Sequence, residues 1–248
     1  MVQFQVLTWD ARDEAEDHII RIFGKTIKGE SVCVTTKFVP YFFVKVPGTM
    51  TPNSVIQYVK RTCPDIVNMD VVEAKDMEGF QNGEKSFFLQ IHCNNLTSRR
   101  HISNRLRKHV TGMSHKLKLF EANVDPVLRL MHRTGIQSTG WVDTTDTCDR
   151  AYHTKVQIDL QCNDWTRLKP LETTDIAPFV IASLDIECYS STGKFPSPSV
   201  YGDACFQIAI SLVRFGEDEP YDKTCLCYKE TDKNIEGSTI VSYRSERD

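Results

Sequence analysis

Two acidic residues, Asp185 and Glu187, have the types and spacing that most directly suggest chemistry. They end the mostly apolar run 179–188, which predicts a buried β-strand. Because successive side chains of a strand point to opposite faces, the two carboxylates share one face. Two like charges on an apolar strand repel each other unless a cation lies between them, so this acid pair predicts a Mg²⁺ or Mn²⁺ site. The alternative interpretation is a strand that ends at the surface with two solvated acids.

The residues after the acid pair predict more strands of the same sheet. A loop rich in Ser, Gly and Pro (189–199) leads to a second apolar run at 206–212, also predicted to be a buried strand. An acidic turn at 216–220 precedes a third strand at 223–228. Strand, loop, strand, turn and strand, with an acid pair on the first, is the order in which a ribonuclease-H-like nuclease begins.

Residues 41–120 predict a β-α-β-β-α-β unit. The predicted strands are 41–46, 66–72, 86–93 and 116–120. The first helix begins after Thr51 as N-cap and Pro52, and ends at Pro64. The second begins near Thr97 or Ser98 and is expected to bury Ile102, Leu106 and Val110. This order is ferredoxin-like and is shared by many RNA-recognition modules, so we expect such a unit at about 40–120. Three earlier runs, 4–9, 18–23 and 31–36, predict a small antiparallel sheet.

Seven cations and no acidic residue lie between positions 99 and 118. This basic segment is a candidate phosphate-binding surface for nucleic acid, and consists of Arg99, Arg100, Arg105, Arg107, Lys108, Lys116 and Lys118. Aromatic residues on the neighbouring sheet face are candidates for base stacking: Tyr41, Phe43 and Phe87 or Phe88. The alternatives are that the cations form a solvated helix face and that the aromatic side chains belong to the core.

The clearest helix signal lies at 120–135. Asp125 is suited to cap the helix, Pro126 to its first turn, and Gly135 to its left-handed end. Its apolar stripe is expected in the core, and consists of Val124, Val127, Leu128 and Met131. A polar loop at 144–150, a strand at 156–160 and a connector at 163–175 follow. We place a domain boundary in that connector, giving domains 1–172 and 173–248.

Bulk properties are those of a globular protein. The chain has 248 residues and a formal net charge of −3. It contains no apolar run of the roughly 18 residues needed to span a membrane and no secretory signal. The nine cysteines are scattered, lack a Cys-x-x-Cys pair, and include an isolated Cys225-x-Cys227. We therefore expect reduced, mostly buried thiols in an intracellular, reducing compartment.

These motifs together resemble the N-terminal region of a family B DNA polymerase, of the delta type and its relatives in large DNA viruses. One block is Asp185-Ile-Glu-Cys188 with Gly193-Lys-Phe-Pro196 and Asp203-x-x-x-Gln207-Ile208, similar to the first exonuclease motif. The other is Phe120-Glu-Ala-Asn123 with Thr134-Gly-Ile136 and Gly140-Trp141, similar to the helix that enters the exonuclease domain.

The resemblance implies an α+β chain: an antiparallel-sheet domain with the ferredoxin-like unit, then the first strands of a ribonuclease-H-like exonuclease domain. It implies that Asp185 and Glu187 are catalytic ligands of two Mg²⁺ or Mn²⁺ ions in the complete site, with Asp185 bridging both ions and Glu187 binding one. One ion would activate water and the other stabilise the leaving 3′ oxygen. The family's other acids lie in later motifs, so we expect this stretch alone to be catalytically incomplete and to need no bound ion.

The same resemblance implies the partners of the parent protein. They are the single-stranded template, beside which the N-terminal unit would lie, the primer 3′ end, the remaining polymerase domains and a sliding clamp, with no membrane. The expected place of action is the nucleus or a cytoplasmic replication site of an infected cell. The first hypothesis is thus part of a replicative polymerase that extends primers and removes mispaired 3′ nucleotides. The second is a standalone module that binds single-stranded nucleic acid.

Overall fold

The protein is a sheet-rich α+β structure. The computed structural model describes residues 2–76, 78–80, 82–108, 116–144, 148–231 and 236–244. Contacts between Cα atoms divide the chain into two compact units, Met1–Ala177 and Pro178–Asp248. Within the described ranges no helix is long and apolar enough to cross a membrane. The functional division into 1–172 and 173–248 stays a prediction.

The first unit holds eleven strands and three α-helices in its described part. The strands are β1 (Gln3–Glu14), β2 (Asp17–Lys25), β3 (Ser31–Phe38), β4 (Tyr41–Lys45), β5 (Asn68–Ala74), β6 (Ser86–His92), β7 (Leu119–Phe120), β8 (Trp141–Asp143), β9 (Cys148–Arg150), β10 (Ile158–Cys162) and β11 (Lys169–Leu171). The helices are α1 (Pro52–Thr62), α2 (Leu96–Lys108) and α3 (Pro126–Thr134), with a single 3₁₀ turn at Trp165–Arg167.

A seven-stranded sheet contains β1, β2 and β3 as antiparallel neighbours, as predicted. The full strand order is β11-β8-β1-β2-β3-β10-β9, and β10 pairs parallel to β3. Strand β10 begins at Ile158 rather than at the predicted residue 156. Three short strands were missed: β8 follows the predicted helix, β9 lies in the predicted loop and β11 in the predicted connector. Three-residue strands carry no periodic pattern, because only pairing with a neighbour defines them.

One face of this sheet forms the first core. Alternation with period two along β1, β2 and β3 places its apolar side chains on that face, where they are fully buried. They include Phe4, Val6, Ile20, Ile22, Val32, Val34 and Phe38, and are joined by Leu130 and Ile136.

A four-stranded antiparallel sheet and two helices form the second core. The elements follow the predicted order β4-α1-β5-β6-α2-β7, and the strand order is β5-β6-β4-β7. Thr51 caps α1, because its side chain accepts from the backbone amide of Ser54 at 3.3 Å. Ile102 and Leu106 are buried as predicted, whereas Val110 lies outside the described residues. The helix-facing core consists of Phe42, Val44, Val55, Val59, Leu89, Ile91, Ile102 and Leu106.

Helix α3 has the predicted ends but a different buried face. The Asp125 side chain accepts from two first-turn amides, and Gly135 adopts a left-handed φ of 77°. The buried residues are Pro126, Arg129 and Leu130. Of the predicted core stripe, half-buried Val127 packs against the first core, whereas Leu128 is 59% exposed, so the prediction is only partly correct. In a helix of two and a half turns the apolar pattern does not fix which side meets the sheet; the packing of Leu130 into the first core decides it.

The second unit is a four-stranded sheet. Its strands are β12 (Val180–Tyr189), β13 (Ala204–Arg214), β14 (Asp222–Tyr228) and β15 (Thr239–Tyr243), in sequence order across the sheet. The first three are the predicted strands and pair antiparallel, an orientation for which no prediction was made, while β15, which pairs parallel to β14, was not predicted. Both β12 and β13 were expected to be buried, but Leu184 is 66% exposed and Phe206 39%. An apolar pattern predicts which residues favour burial but not what covers them, and the described part of this unit contains no helix.

Candidate functional site

The acid pair lies on one face of β12. Asp185 is opposite Ala209 and Glu187 is opposite Gln207 in the ladder with β13, and directly paired residues project to the same side of a sheet. Both acidic residues are exposed. The predicted shared face is therefore present, and the residue opposite Asp185, Ala209, has a small side chain.

A local hydrogen bond positions the carboxylate of Asp185. Oδ1 of Asp185 accepts a hydrogen bond from the backbone amide of Ile186 at 3.0 Å. The β12–β13 register shifts directly after Glu187, so that Cys188 is opposite Cys205. A shift of this kind bends a strand and re-aims the side chains beside it. The extra residue here is Phe206 on β13, so the irregularity lies in the strand opposite Glu187.

The loop after β12 is held by Asp203, which belongs to the quoted motif. Its carboxylate accepts from the backbone amide and hydroxyl of Ser191, both at 2.7 Å, and from the amide of Ser197 at 3.0 Å. The Ser191 hydroxyl and amide, with the Ser197 amide, lower the pKa of Asp203 below its usual range. This loop encloses a cavity of about 560 Å³ lined by Ile186, on the face opposite the acid pair.

The donor set of the acid pair fits a hard divalent cation. Two carboxylates supply the oxygen ligands that Mg²⁺ prefers, and Mg²⁺ usually binds through one or two carboxylates together with water and substrate phosphate. In the described part of the chain neither carboxylate forms an ion pair with Lys, Arg or His, so no protein cation there neutralises them. The same ranges contain no group of three or more potential metal ligands. Two carboxylates would supply only part of the ligands of a divalent cation.

The basic segment divides into buried and exposed cations. Arg99 is half-buried, its guanidinium donates to the carbonyl oxygen of Val124 at 2.6 Å, and burial lowers its pKa. Arg105 is exposed and donates to the carbonyl oxygen of Thr62 at the end of α1, at 3.2 Å. Lys118 pairs with Glu78, which raises its pKa. These three cations have partners within the protein.

The remaining four cations are exposed and form no ion pair within the described ranges. Arg100, Arg107 and Lys108 are spaced i, i+7 and i+8 on α2 and so share one side of that helix, and Lys116 precedes β7. We call these four residues the exposed basic face. It combines positive charge with solvent access, as a phosphate-binding surface requires.

The aromatic residues of the four-stranded sheet belong mainly to the core. Tyr41 and Phe88 are buried, at 7% and 6% exposure. The Arg129 guanidinium lies 4.2 Å from the Tyr41 ring centroid, and Arg129 also pairs with Glu121. Phe87 is half-exposed but points to the helix-facing side, since it alternates with Phe88. The core interpretation is confirmed for Tyr41 and Phe88, so these two are not a base-stacking surface.

Sequence reasoning missed the residue that anchors α2. The Asp13 carboxylate, on β1, accepts from the backbone amides of Leu96 and Thr97, both at 3.0 Å, and lies 2.7 Å from Nδ1 of the fully buried His18. Burial alone would raise the pKa of Asp13, but the hydrogen bonds from His18, Leu96 and Thr97 outweigh it and lower the pKa to about 2. No local pattern signals this contact, because its partners are more than eighty residues apart.

Comparison with known proteins identifies the family to which the chain belongs. Residues 117–248 match the sequence model of the family described as DNA polymerase family B, exonuclease domain. That match covers the acid pair and more than half of the chain. The chain belongs to this family.

Its relatives are polymerases of viruses and eukaryotes. The DNA polymerase of Paramecium bursaria Chlorella virus NY2A is 30% identical over 95% of this chain, and the DNA polymerase delta catalytic subunit of Schizosaccharomyces pombe is 26% identical over 99%. The chain spans 26% and 24% of those proteins. The family B DNA polymerase structure from Pyrobaculum calidifontis shares the fold, with a TM-score of 0.70 and 18% identity, over 92% of this chain and 27% of that one. These matches do not support the standalone-module hypothesis.

Proposed function

We propose that the chain contributes the N-terminal domain, residues 1–172, and the beginning of the 3′–5′ exonuclease domain, residues 173–248, to a replicative DNA polymerase. The observation that carries the proposal is the acid pair: two exposed carboxylates on one face of β12, inside the segment matched by the exonuclease family. The parent protein would extend DNA primers and remove mispaired 3′ nucleotides.

In this proposal Asp185 and Glu187 hold Mg²⁺ or Mn²⁺ at the 3′ end of the DNA. Bound there, the cations would neutralise charge on the scissile phosphate and lower the pKa of the attacking water. The protein's part is positioning: the Ile186 amide fixes one oxygen of Asp185, and the alternation along β12 keeps the two carboxylates on one face of the sheet. Ligand residues supplied elsewhere in the parent protein would complete the site.

The test is a double substitution, Asp185→Ala with Glu187→Ala, in the complete polymerase. We expect loss of 3′ trimming of a mispaired primer, because the cation ligands are removed, while primer extension on a matched template is retained. The matched control is Asp218→Ala with Glu219→Ala, which removes the same charge from the exposed turn after β13. The assigned role would be contradicted if the acid-pair variant lost trimming and extension equally. It would also be contradicted if the control lost as much trimming as the acid-pair variant.

We further propose that the exposed basic face binds the phosphates of single-stranded template DNA. The βαββαβ order of 41–120, with the first and third strands in the centre of the sheet, supports a ferredoxin-like unit of the kind found in nucleic-acid-binding modules. Arg99, Arg105 and Lys118 would act mainly by holding this surface in place. A solvated surface with no ligand is the alternative, and salt-dependent DNA binding distinguishes the two.

The wider setting follows from the relatives and is part of the same proposal. The partners would be template and primer DNA, the remaining polymerase domains and a sliding clamp. Similarity to polymerases of large DNA viruses favours a replication site in the nucleus or cytoplasm of an infected cell. The ribonuclease-H-like classification of the second unit also belongs to the proposal, supported by its consecutive strands and acid pair.

A further inference from the structure

Two cysteines on β14 bring their sulfur atoms together. The Sγ atoms of Cys225 and Cys227 are 3.6 Å apart, and the residues project to the same side because they are two positions apart on a strand. Cys225 is half-buried and Cys227 is buried, at 3% exposure. One thiol is therefore reachable from solvent, and the second contacts it from within the protein.

This cysteine pair is in register with the acid pair. Cys225 is opposite Ala209, which is opposite Asp185, and Cys227 is opposite Gln207, which is opposite Glu187. Directly paired residues point to the same side, so both pairs occupy one face of the sheet. Two strand spacings of about 4.8 Å separate them, or roughly 10 Å. The side-chain amide of Gln207 bridges the rows by donating to the Cys227 sulfur at 3.8 Å.

We propose that Cys225 and Cys227 form a dithiol modification site that reacts with small-molecule disulfides and closes to an intramolecular disulfide. Cys225, as thiolate, attacks the reagent disulfide; a mixed disulfide forms and one reagent thiol leaves with the proton. The Cys227 sulfur then attacks the Cys225 sulfur, and the second reagent thiol leaves. The protein loses two protons and two electrons, and the reagent disulfide takes them up to become two thiols.

Three other cysteines lack the solvent access of Cys225. Cys33, Cys63 and Cys93 are buried, and burial raises the pKa of each thiol, for Cys93 to about 12. A thiol with a raised pKa is a poor nucleophile at neutral pH. Burial and the neighbouring Cys227 also raise the pKa of Cys225, so its first step is slow near neutrality and accelerates as the pH rises.

The closed form strains the strand. Two residues of extended chain separate the Cα atoms by roughly 6.7 Å, at the upper end of the ~4.4–6.8 Å range for disulfides. Bond formation must therefore draw β14 together around Leu226 and disturb its ladder with residues 207–209 of β13. Strain also makes a disulfide easier to reduce, so the modification is reversible by thiols.

The test exposes the 248-residue chain to oxidised glutathione, blocks remaining thiols, and maps tryptic peptides by mass spectrometry. Cleavage after Lys223 and Lys229 places both cysteines in the peptide 224–229, whereas Cys188 and Cys205 fall in other peptides. We expect that peptide to lose two hydrogen atoms and to recover them with dithiothreitol. Cys227→Ser should stop at a mixed disulfide on Cys225, and Cys225→Ser should leave Cys227 unmodified.

Three results would overturn the proposal. The first is that Cys225 and Cys227 both stay reduced. The second is that glutathione remains attached to Cys225 in the wild-type chain to the same extent as in Cys227→Ser, and the third is that oxidation links Cys188 to Cys205 instead. The reaction rate should also rise with pH through the region above the ordinary thiol pKa. None of these readouts requires DNA or nuclease activity.

A second measurement concerns the acid pair and rests on the proposed function. In the complete polymerase, glutathione disulfide should slow 3′ trimming, dithiothreitol should restore it, and Cys225→Ser should trim equally well before and after treatment. If the polymerase trims at an unchanged rate while peptide 224–229 is oxidised, the disulfide does not affect the acid pair. That result would not change the conclusion drawn from the peptide analysis about the two cysteines. The proposed function is tested separately by the variant Asp185→Ala with Glu187→Ala.

Discussion

Oδ2 of Asp13 accepts hydrogen bonds from the Thr97 backbone amide at 3.0 Å and from the Thr97 hydroxyl at 2.8 Å, across 84 residues of sequence. Asp13 lies on the seven-stranded sheet, and Thr97 in the first turn of α2, which packs on the four-stranded sheet. A carboxylate at a helix N-terminus satisfies unpaired amides and interacts favourably with the helix dipole. This contact, the Asp13 clasp, therefore fixes the helix that carries most of the exposed basic face.

Removing the Asp13 clasp should destabilise the protein. For Asp13→Ala we expect the free energy of unfolding to fall by about 1–2 kcal/mol, the usual loss for an N-cap, with an added cost for leaving buried His18 without this partner. Urea unfolding followed by circular dichroism measures the change. The control is Asp17→Ala, which removes an exposed ion pair with Lys37 from the same sheet and should cost less than about 1 kcal/mol. Equal losses in the two variants would argue against the clasp.

The same contact predicts a pH dependence. The pKa of Asp13 is lowered from 3.8 to about 2, so the folded state favours the charged form. Its stabilising contribution is fully present above the unfolded pKa and is lost as the pH falls through the folded value. The difference in unfolding free energy between wild type and Asp13→Asn should therefore be constant above about pH 5 and shrink towards pH 2. A difference independent of pH over that window would contradict the assignment.

The exposed basic face should bind single-stranded DNA in a salt-dependent manner. Arg100→Gln, Arg107→Gln and Lys108→Gln together should weaken binding of an oligothymidine and reduce the slope of log K against log salt by up to about 2, or roughly 0.7 for each phosphate contact. Arg105 is left intact because it holds the carbonyl of Thr62.

The matched control for this surface is Lys28→Gln, Lys155→Gln and Lys169→Gln, which removes three exposed charges outside α2. Fluorescence anisotropy across a salt series should show little change for the control variant. Similar slopes in both variants would mean that net charge alone, rather than this surface, determines binding.

A β-carbon at the residue that ends α3 should destabilise the protein. Gly135 has a left-handed φ of 77°. A Cβ at this position would lie 3.7 Å from Pro170 Cγ, which is an ordinary contact distance. The cost of Gly135→Ala is therefore backbone strain rather than a steric clash. We expect a loss of about 1 kcal/mol, seen as a lower Tm. Gly48→Ala is the control: its φ is not left-handed and nothing lies within 4 Å of the added carbon. A Tm unchanged in Gly135→Ala would show that the turn relaxes without cost.

The sequence by itself determined the features that depend on near neighbours. The caps of α1 and α3, the alternation of β1, β2 and β3, and the shared face of Asp185 and Glu187 all follow from backbone geometry over a few residues. The motifs around the acid pair were also sufficient to suggest the family before any contact was known.

Only the tertiary structure decided which apolar surfaces are covered and which distant groups meet. It buried Arg129 and exposed Leu128 on α3, because Arg129 finds Glu121 and the Tyr41 ring there. It exposed β12 and defined β9, β11 and β15 by pairing with neighbouring strands. It also joined Asp13 to Thr97 and aligned Cys225 and Cys227 with the acid pair. These are relations between separate elements of the chain, and their free energy comes from packing and hydrogen bonds that local patterns do not contain.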